Sequence, residues 1–517
     1  MAFAITQTCC TDASCVAACP VNCIHPTPGE PDFGTTDMLY IDPRACIDCG
    51  ACADACPIDA VFPVERLSDS LKPYAQVNAD WYADKPVAGK LEGDATARSP
   101  RPAEAPTFHE WQAPAFTRTL PSDMAPLDVV VVGTGPAGMY AAQDLLLHTS
   151  SRVTLVDRLE TPGGLVRYGV APDHPSTKRI AHSFGRFLDH PRVRLRLGTE
   201  VGRDVTAAEL AAAHDAVVWA VGAPVPRDLG VEGEGLPGSV AADAVVGWYN
   251  GHPDVAAGAV DTGAERVVVV GTGNVAIDVA RILTADPDDL AGTTIAPAAL
   301  AALREGRIRE VVLLGRRGPE SIAATAPELR ELLGRDGVDV VLDEHDPRIT
   351  EWLDHPGAGE TEPQTLLRRA RREKIDWSVP PARPRVVLRF CTSTERIVGT
   401  ARAEGVLTAD GVEIPAGLVV RAVGRGGRAI PGLPFDPGAG IVPNVAGRVD
   451  DMPGHYVVGW VKRGPSGGIG TNRIDAAETV GSLLDDAVAG NLPQRPSRSR
   501  LRTVVRSLRR RPARTGA

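Results

Sequence analysis

Nine of the ten cysteines lie between Cys9 and Cys56. One run reads Cys46-Ile-Asp-Cys49-Gly-Ala-Cys52-Ala-Asp-Ala-Cys56-Pro57, a CxxCxxCxxxCP spacing. Thiolates at that spacing ligate iron–sulfur clusters, the last cysteine serving a different cluster from the first three. An earlier run begins Cys9-Cys10-Thr11-Asp12 and ends Cys15-Val-Ala-Ala-Cys19-Pro20. Aligned on its own Cys-Pro it reads C-x-x-D-x-x-C-x-x-x-C-P, so the two runs form an internal repeat with Asp12 in a cysteine's place. The opening MAFAITQTCC lacks the basic start and long apolar stretch of an export signal. Cluster ligation is therefore expected rather than disulfides. Cys391, alone in an apolar stretch, is expected in the core.

A second chemistry is written in glycines. Gly133, Gly135 and Gly138, with Pro136 and Ala137 among them, stand at GxGxxG spacing, and Asp157 follows after a second apolar run. Such a turn brings backbone and a helix N-terminus up to a pyrophosphate, while the acid accepts from a ribose hydroxyl. The pattern recurs as Gly271-Thr-Gly273-Asn274-Val275-Ala276, alanine being allowed at the third position. Here the next run ends in Arg316-Arg317 instead of an acid. Guanidinium groups bind a phosphate through paired hydrogen bonds, which selects NADP over NAD. Acid first and arginines second suggest FAD in the first unit and NADPH in the second.

The positioning elements follow from periodicity. Val129–Val132, Arg152–Val156, Ala216–Val221, Arg266–Val270 and Glu310–Leu314 read as strands buried on both faces, with a helical pattern after each glycine turn. At 517 residues about three domains are expected. The net charge of −10 gives no reason to expect nucleic-acid binding, and no apolar run suits a membrane span, so a soluble cytoplasmic protein is expected; it is taken to be a monomer. Residues 1–60 carry eight acids against Arg44 alone, suited to docking on a basic surface. Residues 64–124, rich in Pro, Ala and charge, read as a partly extended linker, with Trp81, Tyr82 and Trp111 against a domain surface. Residues 491–517 hold nine arginines and no acid. They read as a disordered tail, an anionic-surface anchor or a dock for the acidic module. Leu501, Val504, Val505 and Leu508 there have the spacing of a short amphipathic helix.

The N-terminal 63 residues resemble two-cluster bacterial ferredoxins, including the seven-iron type. The resemblance implies that Cys19, Cys46, Cys49 and Cys52 hold a [4Fe-4S] cluster, and that Cys9, Cys15 and Cys56 hold the other. Asp12 favours a [3Fe-4S] cluster there, with an Asp12-ligated [4Fe-4S] cluster as the alternative, since a carboxylate is a harder ligand than thiolate. Cys10 is an alternative to Cys9. Cys23 falls outside the count and reads as a nearby free thiol.

The strings GLVRYGVAPDH, GTGNVAIDVAR, GRRGP, PELREL and GWVKRGPSGGIGTNR resemble ferredoxin–NADP reductases of the adrenodoxin-reductase type. The cysteine module and ITQTCCTDASC narrow this to the actinobacterial ferredoxin-fused form, the FprB type. The resemblance implies an α/β fold of two Rossmann-like dinucleotide-binding domains, glutathione-reductase-like, behind an α+β ferredoxin domain. FAD domain parts are expected at 125–224 and 418–490, with the NADP domain at 225–417. Gly164, Leu165 and Val166 are implied near the flavin, and Gly459, Trp460, Gly467, Gly468 and Ile469 along its ring. His174 and Glu328 match a polar pair where nicotinamide meets flavin, with orienting and proton-handling roles. The implied activity is hydride transfer between NADPH and FAD, then single-electron transfer to the clusters and to an external ferredoxin or P450-type acceptor, in either direction. The rivals are an electron-input subunit like the small subunit of glutamate synthase, and a redox sensor.

Overall fold

The computed structural model describes residues 2–85 and 120–493, apart from positions 20, 29, 31, 34, 35, 37, 57–59, 69, 70, 84, 122, 123 and 179. Most of the expected linker, with Trp111, and nearly all of the arginine-rich tail lie outside the described residues. The backbone divides into two compact units. One takes in the N-terminal 167 residues, 179–225 and 425 onward; the other takes in 168–178 and 226–424.

In the first unit a seven-stranded sheet runs Asn444–Val445, Arg448–Val449, His455–Val457, Ala216–Trp219, Asp128–Val132, Arg152–Val156, Val193–Arg196. Its last five strands are parallel. Alternation along Asp128–Val132 explains why the run is apolar throughout: Val129 and Val131 enter one core, Val130 and Val132 the other. Each such side chain is worth roughly 1.5–3 kcal/mol when fully buried. The helices Pro136–His148 and Thr471–Val488 cover the first of these faces through Ala141, Leu145, Ala476, Val480 and Leu483.

The second unit holds a seven-stranded parallel sheet in the order Ser239–Ala241, Leu418–Arg421, Arg266–Val270, Glu310–Leu314, Arg385–Arg389, Asp339–Asp343, Arg371–Glu373. Leu418–Arg421 pairs beside Arg266–Val270, so the boundary expected at 417 moves past this strand. Tyr168–Lys178, with His174, also belongs to this unit rather than to the first nucleotide domain. The strand joins by pairing, whereas the turn is tied to its unit by side chains: Lys178 Nζ donates to Asn250 Oδ1 at 2.6 Å and Arg281 to Asp173 at 2.7 Å. Cys391, expected in the core, is instead half-buried at the end of Arg385–Arg389 with φ of 56°.

The cysteine module repeats a helix and a strand pair. Phe3–Ile5 lies antiparallel to Val61–Pro63, Ile24–His25 antiparallel to Tyr40–Ile41, and short helices span Ser14–Ala18 and Ala51–Ala55. The module runs beyond residue 63. A helix over Pro73–Trp81 forms where an extended linker is expected, and its Asn78 explains why. Asn78 Oδ1 accepts from Ile5 N at 3.1 Å and from Ile41 N at 2.8 Å, while Nδ2 donates to Ile5 O. One buried amide thus ties both strand pairs. Tyr82, expected to lie against a domain surface, is buried there and donates to Tyr40 O at 2.7 Å. Trp81 stacks on Tyr40 with centroids 4.4 Å apart.

Candidate functional site

The two cysteine runs share backbone geometry as well as spacing. Left-handed residues recur at Thr11 and Ala13 in the first run and at Asp48 and Gly50 in the second. The same offset carries Cys9 to Cys46, Asp12 to Cys49, Cys15 to Cys52 and Cys19 to Cys56. All ten cysteines are free of disulfides. Cys19, Cys23, Cys46, Cys49 and Cys52 line one cavity with Phe3 and Ile47. The Cys23 thiol lies 3.4 Å from Cys19 Sγ. Its hydrogen bonds to Cys19 and Cys46 pull both thiols well below the usual range, which favours the thiolate form. Cys9 and Cys56 pack against both the module core and the sheet lobe, and Cys10 packs against the lobe core. Cys9 accepts from Thr11 N and Cys56 from Ala60 N, at 3.4 and 3.2 Å. Soft donors in an apolar, hydrogen-bonded setting fit iron–sulfur clusters.

Asp12 is held differently from a ligating cysteine. Ser14 donates to it twice, from N to Oδ1 at 3.3 Å and from Oγ to Oδ2 at 2.5 Å.

In the first nucleotide unit, Gly133 takes φ of 108°, and a Cβ there would lie 2.3 Å from Ala220 O. A Cβ on Gly138 would lie 2.0 Å from Gly133 O, so this turn and its helix pack only as glycines. Asp157 accepts from Thr134 N at 2.8 Å and Thr134 Oγ1 at 2.5 Å, fixing the strand end beside the turn. Thr134 O in turn accepts from Gly163 N, folding the loop before Gly164, Leu165 and buried Val166 against Gly135. The C-terminal segment starts at Gly459, whose N–H donates to Asp475. Trp460 donates from Nε1 to Ser466 O at 3.1 Å, and Ile469 packs on the lobe core. Gly467 and Gly468 are exposed, and a Cβ on Gly468 would meet open space. The backbone at Gly468 is therefore open to close approach by another group.

In the second unit, Gly271 (φ 134°) makes the same turn, with its Cβ position 2.4 Å from Ala422 O. A Cβ on Gly273 would point into open space, at the start of the helix Asn274–Leu283, which leaves room for a phosphate. Asn274 Oδ1 accepts from Thr325 N at 2.8 Å, Ala276 is buried, and Val275 is exposed. Gly315 sits beside Thr272 of the turn, so the exposed Arg316 and Arg317 follow at the same sheet edge.

Sequence reasoning named His174 and Glu328; the fold adds a hub between them. Arg281, completely buried, donates to Glu328 at 2.8 Å, Asp173 at 2.7 Å and Asp278 at 2.7 Å, and contacts His174 Nε2. Glu331 Oε2 lies 3.3 Å from His174 Nε2. Burial pushes Asp278 well up and Glu331 up, and at Asp173 the opposing pull of Arg281 wins and holds it below the carboxylate range. The available signal was helical spacing: Asp278 to Arg281 and Glu328 to Glu331 are both i,i+3 pairs.

The comparisons agree with this layout. Residues 8–60 match a 4Fe-4S dicluster domain, and residues 127–345 match the pyridine nucleotide-disulphide oxidoreductase family. A Mycobacterium bovis protein named "Probable ferredoxin/ferredoxin--NADP reductase" is 46% identical over 95% of this chain and 85% of its own. This chain belongs to the ferredoxin/ferredoxin–NADP reductase family. The reductase is also 40% identical to mouse mitochondrial NADPH:adrenodoxin oxidoreductase, over 74% of this chain and 83% of the mouse protein. Among solved structures, Mycobacterium tuberculosis FprA in complex with NADPH aligns with a TM-score of 0.66 and 41% identity, covering 74% of the reductase and 90% of FprA. No helix among the reductase's described residues is long and apolar enough to cross a membrane.

Proposed function

We infer that this reductase exchanges electrons between NADPH and ferredoxin-type partners by way of FAD and its own iron–sulfur module. The observation that carries the reading is one chain holding two glycine turns with opposite strand-end chemistry, Asp157 in one and Arg316-Arg317 in the other, behind a cysteine-lined module. A flavin supplies the step from paired to single electrons, because NADPH gives two together and a cluster accepts one.

The residues divide the work. Gly133, Gly135 and Gly138 admit the FAD pyrophosphate, Asp157 fixes the turn at its ribose, and Gly467, Gly468 and Ile469 lie along the ring. Gly271, Gly273 and Asn274 admit the second pyrophosphate, and Arg316 with Arg317 reads the NADP phosphate. His174 and Glu328 orient the nicotinamide and handle protons, locked in place by Arg281. Cys19, Cys46, Cys49 and Cys52 hold a [4Fe-4S] cluster; Cys9, Cys15 and Cys56 hold a [3Fe-4S] cluster. The engagement of both Asp12 oxygens by Ser14 supports the three-iron assignment over ligation by Asp12. A monomer in the cytoplasm, serving a ferredoxin or P450-type acceptor, completes the proposal.

The test is an anaerobic NADPH titration followed by visible absorbance and low-temperature EPR. Flavin bleaching with growth of a cluster signal is expected. A flavin that stays oxidised under NADPH would overturn the assignment of the second nucleotide site.

A further inference from the structure

The two halves of the cysteine module repeat one another but have different neighbours. Cys9, Cys10 and Cys56 pack into the core of the lobe built on Asp128–Val132, where Ala60 is buried and Ile469 also packs. The Cys10–Thr11 peptide lies directly against Gly470. A Cβ on Gly470 would fall 1.8 Å from Cys10 O and 2.6 Å from Thr11. Gly470 has an ordinary φ of −63°, so close approach is what its lack of a side chain permits. It is buried, and it immediately follows Gly467, Gly468 and Ile469, the segment assigned to the flavin ring.

Polar contacts mark the same seam. Arg473, on the helix that begins at Thr471, places Nη1 3.8 Å from Asp12 Oδ2 and 3.5 Å from Ser14 Oγ. Tyr140 is buried on the neighbouring helix, in the same lobe core that Cys9, Cys10 and Cys56 pack against. The other half of the module faces outward. Among the described residues Cys19, Cys46 and Cys52 pack only within the module's own core. Cys49 is exposed, and Ile47 beside it is 52% exposed.

We propose that the Cys9/Cys15/Cys56 half is the flavin-facing half, crossing at Cys10–Gly470, and that the Cys19/Cys46/Cys49/Cys52 half is the outlet, open to solvent at Ile47 and Cys49. This rests on the reading that the two thiol sets hold clusters. Electron transfer weakens steeply with distance, so the half in van der Waals contact with the flavin segment exchanges first. A hydride brings two electrons and one proton; each cluster is reduced by one electron, and the flavin's proton returns to water as the flavin is reoxidised.

The test uses three full-length variants, each titrated anaerobically with dithionite and then followed by rapid mixing with NADPH. In Cys49→Ala the near cluster should still be reduced by NADPH at the wild-type rate. In Cys15→Ala the far cluster should be reducible by dithionite yet lose its reduction by NADPH, while the flavin bleaches normally. Gly470→Val keeps every ligand, and it should leave the iron content and flavin bleaching unchanged while slowing both cluster signals together. A far cluster reduced at the wild-type rate in Cys15→Ala, or unchanged cluster rates in Gly470→Val, overturns the proposed order. Cys15→Ala and Cys49→Ala each keeping both dithionite-reducible clusters would instead refute the ligand assignment beneath it.

Discussion

Arg281 donates from Nη1 to Glu328 Oε2 at 2.8 Å, and the side chain of Arg281 has no solvent-exposed surface at all. A buried cation is tolerated only when paired. Here Asp173, Asp278, Glu328 and Glu331 all lie within ion-pair reach of it, and Arg335 shares Asp173 at 3.6 Å. The arrangement couples the turn that carries His174 to the helix that carries Glu328, so the candidate pair depends on a residue that neither turn nor helix contains.

Removing that cation takes the central partner from a cluster of four part-buried acids. Arg281→Leu is expected to cost about 3–5 kcal/mol, as for other buried pairs broken on one side. The readout is the midpoint of urea unfolding. Arg281→Lys keeps the charge but not the planar fork and should fall between wild type and Arg281→Leu. An unchanged midpoint in Arg281→Leu would show that the network does not stabilise the fold.

Nucleotide choice is expected to rest on Arg316 and Arg317. Each charge-assisted contact to a phosphate is worth about 1.5–3 kcal/mol, roughly a ten- to hundredfold change in affinity. The double variant Arg316→Ala, Arg317→Ala should raise KM for NADPH by at least that factor and leave KM for NADH nearly unaltered. Steady-state ferricyanide reduction with each nucleotide measures both. If the preference for NADPH survives, the phosphate is read elsewhere.

Asp12 occupies the repeat position of Cys49, so Asp12→Cys should supply the missing thiolate. The expected result is one additional iron per chain and replacement of the oxidised three-iron EPR signal by that of a reduced four-iron cluster. Unchanged iron content would show that the structural repeat does not extend to ligation.

Asp144 gives a pH dependence. It lies on the helix Pro136–His148 with Oδ2 buried and unpartnered among the described residues, and burial pushes it up to about 7 despite Arg473 nearby. An unfolded aspartate titrates near 3.9. Between these values the native state binds the extra proton, so the contribution of Asp144 to stability is fully present below about pH 4 and is lost as pH rises through 7. Asp144→Asn removes that slope. Relative to wild type it should gain on the order of 1–3 kcal/mol at pH 8 compared with pH 5, the cost of a buried unpaired group. Urea unfolding at the two values decides it; a constant difference would mean that Asp144 titrates normally.

The sequence by itself determined the local chemistry. CxxCxxCxxxCP, the two glycine turns, Asp157 and the Arg316-Arg317 pair are local, because a turn, a helix start and a strand end are built from neighbouring residues. The five apolar runs fell on the strands for the same reason, since burial on both faces leaves a continuous signal. Only the tertiary structure decided what depends on distant partners. Asn78 looks like a linker residue until it meets Ile5 and Ile41. Leu418–Arg421 looks like the start of a new domain until it pairs with Arg266–Val270. Arg281 is a helix residue like any other until Asp173 and Glu328 arrive from far along the chain. The sharpest case is Gly470, whose missing side chain has no local explanation and becomes intelligible only where Cys10, at the other end of the chain, lies against it. Spacing within a segment is encoded by that segment, whereas the contact between two segments is fixed by the packing of everything between them.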